Sequence, residues 1–222
     1  MIKSFVWPFV NRFSHILLIL CFGLSYILSD FEKLLPYHVA FGLGVGVLLL
    51  FRALWGFVGP KYSRFEDFNF NLQDLKEYLL SPFSKKKEHV GHNPASSFAI
   101  VAMIIMSILT VLSGLLAYGI GENHGILSFL HTEYFSDMKI FKEIHAVFAN
   151  VFVGIVVVHI CGALIDKFIK KGDAIDSMIH GYKQTQEEAG IRLNFMQYLF
   201  GFIWIVGSLY ACLLYTSPSP RD

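Results

Sequence analysis

The chain has 222 residues, of which 55% are hydrophobic and 16% are charged, and its formal net charge is +1. Its mean hydropathy of +0.54 is too high for a water-soluble domain, so the sequence predicts an integral membrane protein. The near-neutral charge offers no basic field for nucleic acid. Three scattered cysteines without a CxxC pair argue against c-type haem attachment, iron–sulfur clusters and a disulfide framework.

Five apolar segments follow one another along the chain. They cover residues 13–29, 36–58, 97–120, 144–165 and 194–215. Each is long enough to cross the roughly 30 Å hydrocarbon core of a bilayer as a helix. The predicted fold class is therefore all-α, a transmembrane helical bundle with a four-helix core and a fifth transmembrane helix. The polar segment after the second span is predicted to hold one short helix around Leu72–Leu80.

Lysine and arginine residues are distributed unevenly between the connecting segments. If the N-terminus is cytoplasmic, the inner segments (1–12, 52–96 and 166–193) hold 14 of them and the outer segments hold three. By the positive-inside rule, this asymmetry predicts a multi-pass protein with a cytoplasmic N-terminus.

The C-terminal residues 212–222 have no pattern typical of a membrane protein. Their sequence, CLLYTSPSPRD, matches the in-frame read-through of a common sequencing adapter. We therefore expect the native sequence to be interrupted near Ala211 and its own continuation to be missing. The expected organisation is a four-helix membrane domain over 1–185, a linker and fifth helix over 186–211, and a non-native tail.

Two histidines interrupt the fourth apolar segment, KEIHAVFANVFVGIVVVHICGALIDK (142–167). His145 and His159 are 14 residues apart, which on a helix places them on one face and about 21 Å apart along the axis. A titratable side chain in a spanning helix costs a few kcal/mol and therefore indicates a function. A helix with this spacing can supply one axial ligand to each of two haems stacked across the membrane.

Two further histidines lie at matching depths in other spans. His15 is at the inner side of the first span and His38 is at the outer side of the second, so His15 is predicted to pair with His159 and His38 with His145. Polar bundle residues that hydrogen-bond to neighbours are the alternative for each histidine alone. A zinc or copper transporter is the alternative for the set, although the spans contain no carboxylates near the midplane to complete its site.

Basic residues near these levels are candidates for haem propionate binding. Arg12 and Arg52 lie at the level of His15 and would pair with the inner haem, with snorkelling to lipid headgroups as the alternative. Lys142 is the corresponding candidate for the outer haem. Three histidines on predicted cytoplasmic connections are candidate proton donors near an inner pocket: His89, His92 and His180. Simple exposure to solvent is the more common state of a histidine on such a connection.

Six motifs occur in order around the four histidines. They are VWPFVNRFSH (6–15), YHVAFGLG (37–44), FRALWGFVGPKYSRFEDF (51–68), GHNPASS (91–97), EIHAVFANVFVGIVVVHICG (143–162) and DSMIHGYK (176–183). In this order they resemble the bacterial cytochrome b561 family, which includes the cytochrome b subunits of nickel–iron hydrogenases and thiosulfate reductases. The resemblance implies a bacterial inner-membrane domain that binds two b-type haems through His15, His38, His145 and His159.

The resemblance also implies a function. Family members exchange electrons with membrane quinone, and often with a c-type cytochrome or a hydrogenase-like partner. The chain is therefore expected to transfer electrons across the membrane, either as a quinone-linked oxidoreductase or as the haem-bearing membrane anchor subunit of a hydrogenase or reductase complex. A non-redox metal transporter is the third class. The fifth helix, from about Asn194, lies outside the family pattern.

Overall fold

The computed structural model describes residues 1–80, 89–125, 127–132, 139–186 and 188–216, without the side chains of residues 209 and 211–216. The fold is a bundle of helices. In chain order, the α-helices are α1 (Phe9–Leu28), α2 (Leu35–Val58), α3 (Leu72–Leu80), α4 (Pro94–Leu116), α5 (Ile140–Phe168), α6 (Ala174–His180) and α7 (Phe195–Thr216). A π-helical turn, Ala117–Gly121, extends α4.

Among the described residues, four helical segments are long and apolar enough to cross a membrane. These candidate spans are Phe9–Leu28, Glu32–Val58, Pro94–Gly121 and Ile140–Phe168. Large apolar side chains are exposed along them, among them Ile19, Leu50 and Val158. Such extensive apolar exposure suits a lipid environment and not water. The predicted all-α transmembrane bundle is therefore confirmed.

Proline and asparagine residues mark where two of the spanning helices begin. Pro8 precedes α1, which starts at Phe9, four residues before the first apolar segment read from hydropathy. The polar residues of this first turn lower the local hydropathy without preventing a helix. At the start of α4, the Oδ1 atom of Asn93 accepts a hydrogen bond from the Ser96 N–H at 2.8 Å, and Pro94 occupies the first turn. Both features favour a helix N-terminus.

Helix α5 is the least enclosed of the long helices. α1 packs on α2, α2 on α4, and α4 along α5. Within the described residues, the backbone of α5 makes no comparable contact with α1 or α2. Only Phe152 and Asp166 of its 29 residues are buried. Side chains span the gap instead, as in the contact between the rings of Phe22 and Phe152, whose centroids are 5.0 Å apart.

A two-stranded β-ribbon, which the sequence did not predict, closes the end of the bundle that carries the N-terminus. β1 (Ile2–Phe5) pairs antiparallel with β2 (Tyr182–Thr185). Gly181 has a φ of 91°, and its carbonyl accepts hydrogen bonds from the N–H groups of Val6 and Trp7 at 2.9 and 3.0 Å. A left-handed φ favours glycine. The capped end is defined here as residues 1–8, 59–80, 89–93, 169–186 and 188–194.

The predicted fifth apolar segment is also helical and packs as α7 against α2 and α1. Trp204 Nε1 donates a hydrogen bond to the carbonyl of Val47 at 3.1 Å. The ring of Phe200 stacks on that of Trp55, with centroids 6.0 Å apart and planes 7° apart. Whether α7 crosses a membrane stays a prediction. The expected non-native tail also stays a prediction, because residues 217–222 lie outside the described residues.

The contact between α7 and α1 can be tested at Gly201. A Cβ atom at this position would lie 2.7 Å from Val10 Cγ2, so Gly201→Ala should force α7 away from α1 and lower the thermal unfolding midpoint in detergent. Overpacking of this kind typically costs about 1–3 kcal/mol. Gly207→Ala is the matched control, because a Cβ there meets no atom of the described residues within 4 Å. Equal midpoints for the two variants would contradict the close packing of α7.

Candidate functional site

His38 on α2 and His145 on α5 face each other across the gap between these helices. Their ring centroids are 6.1 Å apart, and their ring planes are inclined by 83°. Two imidazoles bound to opposite sides of one metal ion, each through a bond of about 2 Å, have ring centres about 6 Å apart. The structure therefore brings this predicted pair together at the spacing that a shared metal ion requires.

A backbone carbonyl fixes the orientation of each of these rings. His38 Nδ1 lies 2.8 Å from the carbonyl oxygen of Ser25, and His145 Nδ1 lies 3.0 Å from that of Thr110. Because a carbonyl oxygen only accepts hydrogen bonds, each Nδ1 carries the proton and donates it. The lone pair of each neutral ring is then on Nε2. This arrangement is the usual one for histidines that bind a metal.

Small residues on α4 and α1 make room for the two rings. A Cβ atom at Gly114 would lie 2.9 Å from Cε1 and 3.1 Å from Nδ1 of His145. The Oγ atom of Ser113 is 3.3 Å from His145 Nδ1, and the Ser25 hydroxyl donates to the carbonyl of His38 at 3.1 Å. No sequence pattern identifies these positioning residues. Their only signal is the presence of small or polar residues inside apolar spans, which helix packing explains equally well.

The second predicted pair, His15 on α1 and His159 on α5, lies toward the capped end. Both rings are half-buried, and they are close enough for their charges to interact. One uninterrupted helix carries His159 and His145. The two pairs therefore lie at two depths, separated by about 21 Å of helical rise.

The predicted propionate partners Arg12 and Arg52 are half-buried at the capped-end side of these pairs. Arg12 Nη1 donates to the carbonyl of Ile179 at 2.6 Å, and Arg52 Nη1 donates to that of Ser63 at 3.2 Å. Among the ion pairs of the described residues, none includes either guanidinium. Both arginines are therefore held by neutral carbonyls and have charge to offer to an anion.

Several donor atoms in this region are buried without a hydrogen-bond partner within the described part of the chain. They are Arg12 Nε, Ser14 Oγ and Trp55 Nε1. Buried donors without an acceptor are uncommon, because each loses its hydrogen bonds to water. A carboxylate is an acceptor that would satisfy such donors.

Lys142, the predicted partner of an outer propionate, contacts an acidic neighbour. Its ammonium group forms an ion pair with Glu122, at the end of the bundle opposite the capped end. Both side chains of this pair are at least partly exposed. The structure therefore gives Lys142 a partner on the protein itself.

These residues fit a haem better than a bare metal ion. Within the described residues, no cluster of three or more His, Cys, Asp or Glu side chains is arranged to hold a metal. Two imidazoles leave the coordination of a bare ion incomplete, whereas they complete that of an iron already held by a porphyrin. Two observations suit a haem: the spacing of His38 and His145, and the unpaired donors near Arg12.

The comparisons with known proteins identify the family. A family model described as prokaryotic cytochrome b561 matches residues 6–181, which include the four candidate ligands His15, His38, His145 and His159. Searches of curated proteins and of solved structures gave no match. This family assignment implies haem b binding. The chain therefore belongs to the prokaryotic cytochrome b561 family and is a membrane b-type cytochrome that takes part in electron transfer.

Proposed function

We propose that the chain binds two b-type haems and transfers electrons across the membrane between quinone and a redox partner protein. The observation that supports this most strongly is the geometry of His38 and His145, with ring centroids 6.1 Å apart and each Nδ1 bonded to a carbonyl. The second pair, His15 of α1 and His159 of α5, likewise has one histidine on α5 and one on a helix across the gap.

Each histidine pair would hold the iron of one haem through its two imidazoles. A bound b-type haem supplies one-electron oxidation and reduction, and two imidazole ligands leave no open position for oxygen or a substrate. The carbonyls of Ser25 and Thr110 hold the imidazoles in the ligating tautomer. Arg12 and Arg52 neutralise propionate charge at the capped end.

The aromatic pair Phe22–Phe152 occupies the level between the two sites. Phe152 is seven residues from His145 and seven from His159 along α5. It is buried against the ring of Phe22. The two apolar rings are in contact at this level, and an electron that moved between the two proposed haems would cross it.

The proposed orientation places the capped end in the cytoplasm of a bacterial cell, with the chain in the inner membrane. The excess of lysine and arginine in the segments that form this end supports the orientation. Electrons would pass between membrane quinone and a c-type cytochrome or a hydrogenase or reductase subunit. The resemblance of the six motifs to cytochrome b subunits of such complexes supports these partners.

The number of haems gives the most direct test. Purified protein should contain two haems per polypeptide, measured by pyridine haemochrome absorption against protein concentration. His159→Ala should remove the haem at the capped end and leave one, because the His38–His145 pair is intact. His180→Ala, at an exposed residue outside the spans, should keep both. One haem or none in folded wild-type protein would contradict the proposal.

Gly114 provides a test of the opposite site without altering a ligand. In Gly114→Ala, the new methyl group would displace the His145 ring, so this variant should lose the haem held by His38 and His145 and keep the other. Gly154→Ala on α5 is the control, because a Cβ there meets nothing within 4 Å. Unchanged haem content and spectrum in Gly114→Ala would show that the ring position is not required.

Reduction by quinol tests the electron donor. The isolated protein in lipid nanodiscs should show quinol-dependent haem reduction, followed by the rise of the reduced α-band. If quinol reduces the haems only when a catalytic subunit is bound, the chain is a haem-bearing anchor and not a self-sufficient quinone-linked oxidoreductase. No reduction by quinol under either condition would contradict the quinone part of the proposal.

A further inference from the structure

α5 carries a polar residue, Asn150, on the side that faces away from the candidate haem sites. Asn150 follows His145 by five residues, which on an α-helix turns it about 140° away from that histidine. The residue is exposed, and its amide group makes no hydrogen bond within the described residues. The sites described above therefore make no use of Asn150.

The amide of Asn150 lies deep in the membrane when α5 is centred in it. Asn150 is four residues from Gly154, the central residue of α5, and so about 6 Å from the middle of the helix along its axis. The hydrocarbon core extends roughly 15 Å to either side of the membrane centre. An asparagine side chain is too short to cross the remaining distance of about 9 Å to the headgroups, as a long lysine or arginine side chain can.

This position is unfavourable for a single chain in lipid. Hydrocarbon holds no water to satisfy a polar group, so an amide without a hydrogen-bond partner is costly there. In membranes, asparagine side chains form hydrogen bonds across neighbouring helices, and these bonds favour helix association. The exposure of Asn150 in the single chain therefore points to another helix at this place.

The surface around Asn150 allows a second helix to come close. Gly154 lies one turn further along α5, and a Cβ atom there would meet no atom of the described residues within 4 Å. Val147 and Val158 lie on the same side of the helix and are 59% and 68% exposed. The exposed face of α5 is defined here as Val147, Asn150, Gly154 and Val158. A glycine beside an asparagine on such a face permits close backbone contact and a short interhelical hydrogen bond.

The chemistry of the amide favours a second copy of this chain as the partner. An amide both donates and accepts hydrogen bonds, so two Asn150 side chains can satisfy each other. Copies inserted into one membrane share one orientation, so Asn150 lies at the same depth in each. A twofold axis perpendicular to the membrane then brings identical residues together. A helix of another protein would have to supply a polar group of its own at this depth.

We propose that the chain forms a twofold dimer in the membrane through the exposed face of α5, with the Asn150 side chains of the two copies hydrogen-bonded to each other. This contact covers the helix that the single chain encloses least. His145 and His159 lie on the opposite side of α5, so each copy keeps its own candidate haem sites. The dimer goes beyond the proposed electron transfer and does not depend on it.

Association in lipid vesicles tests the dimer. Donor- and acceptor-labelled copies of the full chain, in vesicles of phosphatidylethanolamine and phosphatidylglycerol, should show energy transfer that rises with the protein-to-lipid ratio and saturates as for a dimer. Asn150→Leu keeps the size of the side chain and removes its hydrogen bonds, so association should weaken about tenfold. Asn150→Gln keeps an amide and should associate more strongly than Asn150→Leu. Ile160→Leu is the matched control, because Ile160 is 50% exposed and lies about 120° around α5 from Gly154.

Disulfide cross-linking tests which face makes the contact. In a chain whose Cys161 and Cys212 are replaced by serine, mild oxidation should link two copies of Val147→Cys. Ile160→Cys should give little cross-linked product, because a disulfide requires the two Cα atoms to lie within about 7 Å. Cross-linking at Ile160→Cys as strong as at Val147→Cys would overturn the proposed face.

Haem content measured on the same samples shows whether each variant is folded, and it tests the proposed function separately from the dimer. Energy transfer in the wild type no greater than random mixing produces would overturn the dimer. So would association of haem-loaded Asn150→Leu that is as strong as that of the wild type. Should Asn150→Leu fail to fold, the comparison of Val147→Cys with Ile160→Cys decides the matter.

Discussion

Two hydrogen bonds from imidazole N–H groups to main-chain carbonyls determine the geometry of the site. Ser25 lies in the last turn of α1, where carbonyls lack a helical partner, and Ser29 N bonds to Tyr26 O instead. The carbonyl of Ser25 is therefore available to His38. In hydrocarbon an unpaired carbonyl is costly, so the helix end and the imidazole satisfy each other. The position at which α1 ends thus decides which nitrogen of His38 faces α5.

The sequence was most informative where the lipid environment imposes a strong pattern. Long apolar segments located the spanning helices. The depth of His15, His38, His145 and His159 predicted two pairs, and the ring centroids of His38 and His145 lie 6.1 Å apart, whereas the function of both pairs stays a prediction. It was least informative about contacts between distant segments. No local pattern reveals that residues near position 3 pair with residues near position 184, or that Gly114 lies against His145. Nor could a polar loop motif reveal that Trp7 and Phe68 enclose His92.

The two ends of the bundle differ in their electrostatic character. At the capped end, Arg12 of α1 and Arg52 of α2 are held by main-chain carbonyls and have no carboxylate partner among the described residues. At the opposite end, Lys142 is balanced by Glu122. A cationic environment favours the reduced form of a haem, because reduction removes positive charge. If each level binds a haem as proposed, the capped-end haem is therefore expected to have the higher reduction potential.

The β-ribbon also has a consequence for the order of events during biosynthesis. β1 precedes all of the spanning helices in the chain, but its partner β2 is translated only after α1, α2, α4 and α5. The β-ribbon therefore cannot form while those helices are being inserted. Throughout that interval the ribbon does not cover the level of His15, a proposed haem ligand. Loading of the prosthetic group at that level can therefore precede closure.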